Sequence, residues 1–168
     1  MTDSEFRDAF YRHKDTVYRF AYRMTGSSST AEDVVQDCFV MFWRKPESYR
    51  PERGALRAFL LGVARNLILK RWRSERQHDA LSDGMEDDSS AGRPLDIAQQ
   101  ERAEAVRRAV LLLPPQQREA LILAEYEELS IEEIAAMVGA EIPAVKSRLH
   151  RARGNLRRML EPLFALER

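Results

Sequence analysis

Apolar residues along this chain recur at threes and fours, the spacing that lines one face of an α-helix, and nowhere alternate in twos long enough to suggest a sheet. Phe6, Phe10, Val17, Phe20 and Met24 form the first stripe, which predicts a helix ending near Gly26. Ala31, Val34, Val35, Cys38, Phe39 and Phe42 form the second; Ser29 and Glu32 read as a capping box at its start, and Pro46 stops it. A third helix is expected from about Ala55 to Arg76, with a break near its middle. Further on, Ser130 and Glu133 form an S-x-x-E capping box ahead of Ile131, Ile134, Ala135 and Val138, and Gly139 can supply the left-handed conformation that ends so short a helix. Pro143 suits the first turn of another helix, whose stripe steps through Ile142, Val145, Leu149, Ala152, Leu156 and Met159. Two helices meeting at a glycine in this way have the spacing of a helix-turn-helix.

Between the helical halves the pattern lapses. From Gln77 to Leu95, clusters of Gly, Ser, Asp and Pro follow no helical period, the composition of a flexible tether. The expected architecture is therefore all-α and in two parts. An N-terminal helical bundle covers residues 1–76, a flexible acidic linker residues 77–99, and a four-helix C-terminal domain with the helix-turn-helix residues 100–168.

Charge changes the picture once it is resolved along the chain. The net charge is zero, but residues 1–76 carry 15 basic and 10 acidic residues, 77–99 one basic and six acidic, and 100–168 11 of each. Local patches matter more than this sum for contact with a polyanion. From Ile142 to Arg158 there are six Lys or Arg and no acid. On a helical wheel Ser147, Arg151 and Arg158 lie opposite the apolar stripe, with Lys146 and His150 on one flank and Arg148 on the other. A DNA major groove admits one helix, whose side chains read base edges while further cations hold phosphates. A solvated basic helix on a small bundle would share the charge, but not the capped first helix and glycine turn before it.

Two surfaces of the N-terminal half also carry chemistry. Asp33, Gln36, Asp37, Val40 and Arg44 project away from the second stripe, as either a solvated face or a docking face for a basic partner. Arg53 to Arg76 holds seven Lys or Arg against the single acid Glu75, interleaved with Phe59, Trp72 and Leu60, Leu61, Val63, Leu67 and Ile68. Cations there can hold phosphates and aromatic groups can stack unpaired bases, while the amide of Asn66 suits a base edge. Phe59 and Leu60 fit a core better than a base platform; Trp72 fits either.

Other classes are disfavoured. No stretch approaches the roughly 18 uninterrupted apolar residues of a membrane span, and the N-terminus lacks the apolar core of a signal peptide, so a cytoplasmic location is expected. Cys38, the one cysteine, allows no internal disulfide or cysteine-based zinc site and reads as a packed thiol. His13, His78 and His150 lie in separate segments, and no paired carboxylates have metal-ligand spacing. No catalytic residues, metal or cofactor are expected, and the chain is not read as an enzyme.

A-E-D-V-V-Q-D-C-F at 31–39, L-R-A-F-L-L-G-V-A-R-N at 56–66, L-P-P-Q-Q-R-E-A-L at 113–121, S-I-E-E-I-A-A-M-V-G at 130–139 and A-V-K-S-R-L-H-R-A-R at 144–153 together resemble the extracytoplasmic-function sigma factors of bacterial RNA polymerase. The resemblance spans about residues 6–160, in the family's order and spacing. It implies an alternative sigma factor that brings core polymerase to promoters and helps melt them. Asp33, Gln36, Asp37 and Val40 would meet the polymerase clamp helices, and the C-terminal domain the flap. Asn66 would hold a flipped base of the −10 element, with Arg65, Lys70, Arg71 and Arg73 near phosphates. Lys146, Ser147, Arg148, His150 and Arg151 would face the −35 element. The linker would thread toward the polymerase active-site and RNA-exit channels, and an anti-sigma factor is an expected partner. No further domain is expected after Arg168. An autonomous helix-turn-helix regulator acting without polymerase is the rival reading. Glu141, Ile142 and Pro143 stand where relatives more usually have Pro-Val-Gly, and Phe59 where many have Trp, so the promoter sequence is not implied.

Overall fold

The computed structural model describes residues 1–78 and 97–165. It divides into two compact units, Met1–Asp88 and Ser89–Arg168, and every described element is helical. Residues 79–96, where most of the expected acidic linker falls, lie outside the described residues. The linker's expected bounds are nevertheless too wide, because the helix before it reaches His78 and the helix after it begins at Ile97.

The N-terminal unit contains α1 (Asp3–Thr25), α2 (Ser28–Arg44) and α3 (Leu56–His78), with two short 3₁₀ turns, Pro46–Ser48 and Pro51–Arg53, between α2 and α3. Thr2 and Glu5 start α1 with a reciprocal capping box, a T-x-x-E signal legible in the sequence and overlooked there. Gly26, at φ 71°, ends α1 in the left-handed conformation that costs glycine little. The cap of α2 corrects the expectation at Ser29. Ser27 is the N-cap, its hydroxyl accepting from the Thr30 N–H at 3.2 Å, and Ser29 and Glu32 lie inside the helix. Because Gly26 closes α1, the next residue is the one that takes the extended backbone a cap requires, and that residue is Ser27.

All three helices contribute to one core. Val17, Phe20, Ala21 and Met24 of α1 meet Ala31, Val34, Cys38, Phe39 and Phe42 of α2 and Leu60, Leu61, Ala64 and Ile68 of α3, all buried. The break expected in α3 does not occur. Gly62 is a poor helix former, but the buried residues on both sides of it hold the helix straight through, so tertiary packing overrides a propensity cost of about 1 kcal/mol. The Cys38 thiol donates to the Leu60 carbonyl at 3.6 Å, and burial pushes its pKa up to about 12, in keeping with a packed and unreactive group. Phe59 is half-buried and packs between Phe42 and Tyr49, with ring centroids 6.4 and 5.5 Å away.

The C-terminal unit contains α4 (Ile97–Leu112), α5 (Pro115–Leu121), a π-helical turn (Ile122–Tyr126), α6 (Ile131–Val138) and α7 (Ile142–Ala165). Pro114 and Pro115 end α4 and open α5. Arg118 then reaches back, donating to the carbonyls of Leu111 and Leu113 at 2.6 and 3.0 Å, and so caps the carboxyl end of α4 from within the fold. The capping box at Ser130 and Glu133 and the left-handed cap at Gly139, φ 67°, form as expected. Glu128 is the one described non-glycine residue at positive φ, 56°, in the turn that carries the chain from the π turn to Ser130.

Replacing Ser27 by Ala should destabilise the N-terminal unit by about 1 kcal/mol through the lost cap, and Glu128→Gly should stabilise the C-terminal unit by about 0.5–1 kcal/mol by relieving the left-handed backbone. Urea denaturation of each variant, with far-ultraviolet circular dichroism as the readout, measures both.

Candidate nucleic-acid interface

Helix α7 is placed by the turn before it. Gly139 reverses the chain, Ala140 donates to the Ala135 carbonyl at 3.1 Å, and Val145 inserts into the core with Leu149 and Ala152. Burying that side leaves Lys146, Ser147, His150 and Arg151 exposed together on the other, while Arg148 is half-buried on the flank. The helix therefore presents a contiguous basic and hydroxylic face, which can donate to phosphates and to base acceptors.

Not every cation of α7 belongs to that face. Arg153 donates to Glu125 Oε1 through Nε and Nη2, at 2.9 and 2.6 Å, which fastens α7 to the π turn. Asn155 donates to Gln117 at 2.8 Å, tying the same helix to α5, and Arg158 donates to Asn155. These cross-braces went unforeseen because their partners lie on other elements. They tie α7 to the π turn and to α5, and Arg153 is paired with Glu125 on the surface.

In the N-terminal unit α2 and α3 present adjoining faces of opposite charge. Asp33, Gln36, Asp37 and Val40 are exposed on α2, and Asn66, Lys70 and Arg73 are exposed on α3, with Arg65 half-buried. The two sets, treated separately in the sequence, meet at Arg71. Its guanidinium lies 3.5 Å from Asp33 and 3.6 Å from Asp37. Trp72 is half-buried.

Beside the acidic face of α2, and sharing Gln36 and Val40 with it, a groove of about 560 Å³ opens against α1, lined by Phe6, Phe10, Tyr11, Phe39 and Trp43 among others. Phe6 anchors its floor, with its ring centroid 4.9 Å from that of Trp43, and Lys14 lies over the Phe10 and Tyr11 rings. Phe10 and Phe39 belong to the expected core stripes, whereas the exposure of Tyr11 and Trp43 beside them was not foreseen.

His13 is on α1 and His150 on α7. Among the described residues no group of three or more His, Cys, Asp or Glu could hold a metal ion, and no described helix is long and apolar enough to cross a membrane.

The N-terminal unit and the C-terminal unit each match a family model. Residues 9–78 match sigma-70 region 2 and residues 103–156 match sigma-70 region 4. The ECF RNA polymerase sigma factor SigE of Mycolicibacterium smegmatis is 36% identical over 150 residues, covering 87% of this chain, which spans only 58% of that relative. The ECF sigma factor EcfG of Rhodopseudomonas palustris is 32% identical over 160 residues, covering 95% of this chain and 87% of that protein. Among solved structures, the sigma factor RpoE in complex with the anti-sigma factor NepR from Bartonella quintana aligns with a TM-score of 0.75 at 26% identity, over 94% of this chain and 97% of that one. The chain belongs to the ECF RNA polymerase sigma factors of the sigma-70 family, non-enzymatic initiation factors that direct RNA polymerase to promoters.

Burial, and then the charges of Arg12 and Arg57, hold the His13 pKa below its ordinary 6.5. In the unfolded chain the imidazole therefore takes up a proton at higher pH than in the fold. Stability is lost as pH falls from about 6.5 through the depressed folded value. His13→Gln should flatten that dependence: between pH 7.5 and 5.5 the wild-type N-terminal unit should lose more stability than the variant, as measured by urea midpoints at each pH. Equal losses would mean that His13 titrates alike in both states.

Proposed function

We propose that the two units divide promoter recognition between them in the cytoplasm, and that polymerase supplies all the chemistry. The N-terminal unit docks on the clamp helices of core polymerase through Asp33, Gln36, Asp37 and Val40. Helix α3 captures the displaced strand of the −10 element, with Asn66 on an extruded base and Arg65, Lys70, Arg71 and Arg73 on phosphates. Helix α7 enters the major groove of the −35 element, with Lys146, Ser147, Arg148, His150 and Arg151 toward the DNA, while its domain meets the polymerase flap. The observation that carries this reading is the one-sided exposure of Lys146, Ser147, His150 and Arg151 on a cross-braced helix behind a capped helix-turn-helix.

Since the Bartonella quintana structure holds a sigma factor against an anti-sigma factor, an inhibitor of the same kind is proposed for this chain. The apolar groove between α1 and α2 adjoins the acidic face at Gln36 and Val40, so one partner can bury both.

In vitro transcription with core polymerase on host genomic fragments tests the whole reading. Transcripts that depend on the added chain and map to a shared pair of elements support it. Specific binding of promoter duplex by the chain without polymerase, and no transcripts with it, would favour an autonomous regulator instead.

Asp33→Arg with Asp37→Arg reverses charge on an exposed face, so folding should change little, whereas core affinity should fall at least about tenfold, or roughly 1.4 kcal/mol. Holoenzyme assembly titrations on the folded double variant measure this, and wild-type affinity would remove the docking assignment.

Arg151→Ala should cost about 1–3 kcal/mol on the cognate −35 sequence and relax discrimination among its point variants. Arg157, farther along α7 and exposed, should on replacement by Ala weaken all sequences about equally and lower the salt slope by no more than about one unit. Holoenzyme binding across −35 variants at several salt concentrations separates the two. The groove-facing assignment falls if Arg157 and not Arg151 carries sequence preference.

A further inference from the structure

We infer that Arg71 is a latch between the docking face and the strand-capture face: Asp33 and Asp37 hold its guanidinium in the free chain, and a basic partner on those carboxylates releases it to phosphate. The inference rests on the roles proposed above for α2 and α3 and adds a coupling between them.

The geometry is specific. Asp33 and Asp37 are one helical turn apart on α2, so their carboxylates stand one above the other. Arg71 comes from α3 and reaches both, at 3.5 and 3.6 Å. The register that brings it there is set by buried contacts, including the Cys38 thiol to Leu60 carbonyl hydrogen bond between the same two helices. The pairs are also loose enough to open, since the side chains keep 35% of their surface exposed at Arg71, 58% at Asp33 and 52% at Asp37. Exposed pairs of this kind are weak and screened by salt.

Two consequences follow from charge alone. While Arg71 faces two carboxylates, a phosphate approaching it must compete with them and also meets their field. When cations of a docked partner pair with Asp33 and Asp37, that competition is divided, and the guanidinium can make the bidentate contact with phosphate for which its shape suits it. Docking then strengthens strand binding, and strand binding strengthens docking by the same factor.

Full-length chain and a fluorescein-labelled single-stranded oligonucleotide of mixed sequence, at low ionic strength, provide the test by fluorescence anisotropy. Arg71→Gln is measured in the wild type and in the Asp33→Asn, Asp37→Asn background, where isosteric amides on exposed positions leave packing undisturbed. The expected result is a loss of less than about 1.5-fold on Arg71→Gln in the wild type but about two- to fivefold in the Asn background, where Arg71 has been released. Equal losses in both backgrounds would overturn the latch while leaving Arg71 as a strand contact. No loss in either would remove the strand contact and the latch together. Lys70→Gln serves as the control, since Lys70 is exposed on the same helix. If it shows the same dependence on background as Arg71, the effect is a general field and the latch is overturned.

Discussion

Leu60, Leu61, Ala64 and Ile68 are taken out of water by α1 and α2, and a helix whose apolar side is so occupied has only the opposite side left for its cations. That burial contributes roughly 1.5–3 kcal/mol for each of the larger side chains, more than the helix loses by carrying Gly62. It also sets the rotation of α3 about its own axis. Asn66, Lys70 and Arg73 face solvent for that reason, and Arg71 is turned toward α2. The basic surface of α3 is thus a by-product of core packing, and the same packing puts the acidic face of α2 beside it.

The C-terminal unit solves the corresponding problem with turns and braces. Helix α6 has eight residues, too few to be stable alone in water. The Ser130 cap, the Gly139 cap and the burial of Ile134 and Ala135 hold it in place. Helix α7 is longer, and its direction is fixed by Val145, Leu149 and Ala152 inside and by the Arg153–Glu125 and Asn155–Gln117 contacts outside. A groove-reading helix must hold its orientation, because misplacement by even an ångström moves side chains off the base edges they would read.

What was legible in the sequence was local. The cap at Ser130, the turn at Gly139 and the stripe of α7 are each specified by residues within a few positions of one another; both caps form as expected, and of the stripe Val145, Leu149 and Ala152 are buried while Ile142 at its head is exposed. The start of α2 was misread because three consecutive serines are locally equivalent, and the choice among them is made by where α1 ends. The break expected in α3 does not form, since burial of Leu60, Leu61, Ala64 and Ile68 on either side of Gly62 outweighs what that glycine costs the helix. At the candidate site, exposure of Lys146, Ser147, His150 and Arg151 follows from helical periodicity. The fates of Arg71 and Arg153 do not, since Asp33, Asp37 and Glu125 come to them only through the fold.

Ion pairs between elements also explain how a chain with no net charge can carry a DNA-binding surface without advertising it. Over distances beyond the Debye length, about 8 Å at physiological salt, a polyanion responds to local charge and not to the sum. Near α3 that local charge includes Asp33 and Asp37 as well as the cations, so the free N-terminal unit offers a partly cancelled field. A partner that neutralises the two carboxylates removes the cancelling part without touching the cations. The acidic face and the basic face are therefore not independent patches that happen to share a small domain. Their separation is set by the packing of α2 on α3, and charges this close cannot be engaged one at a time without energetic consequence for the other.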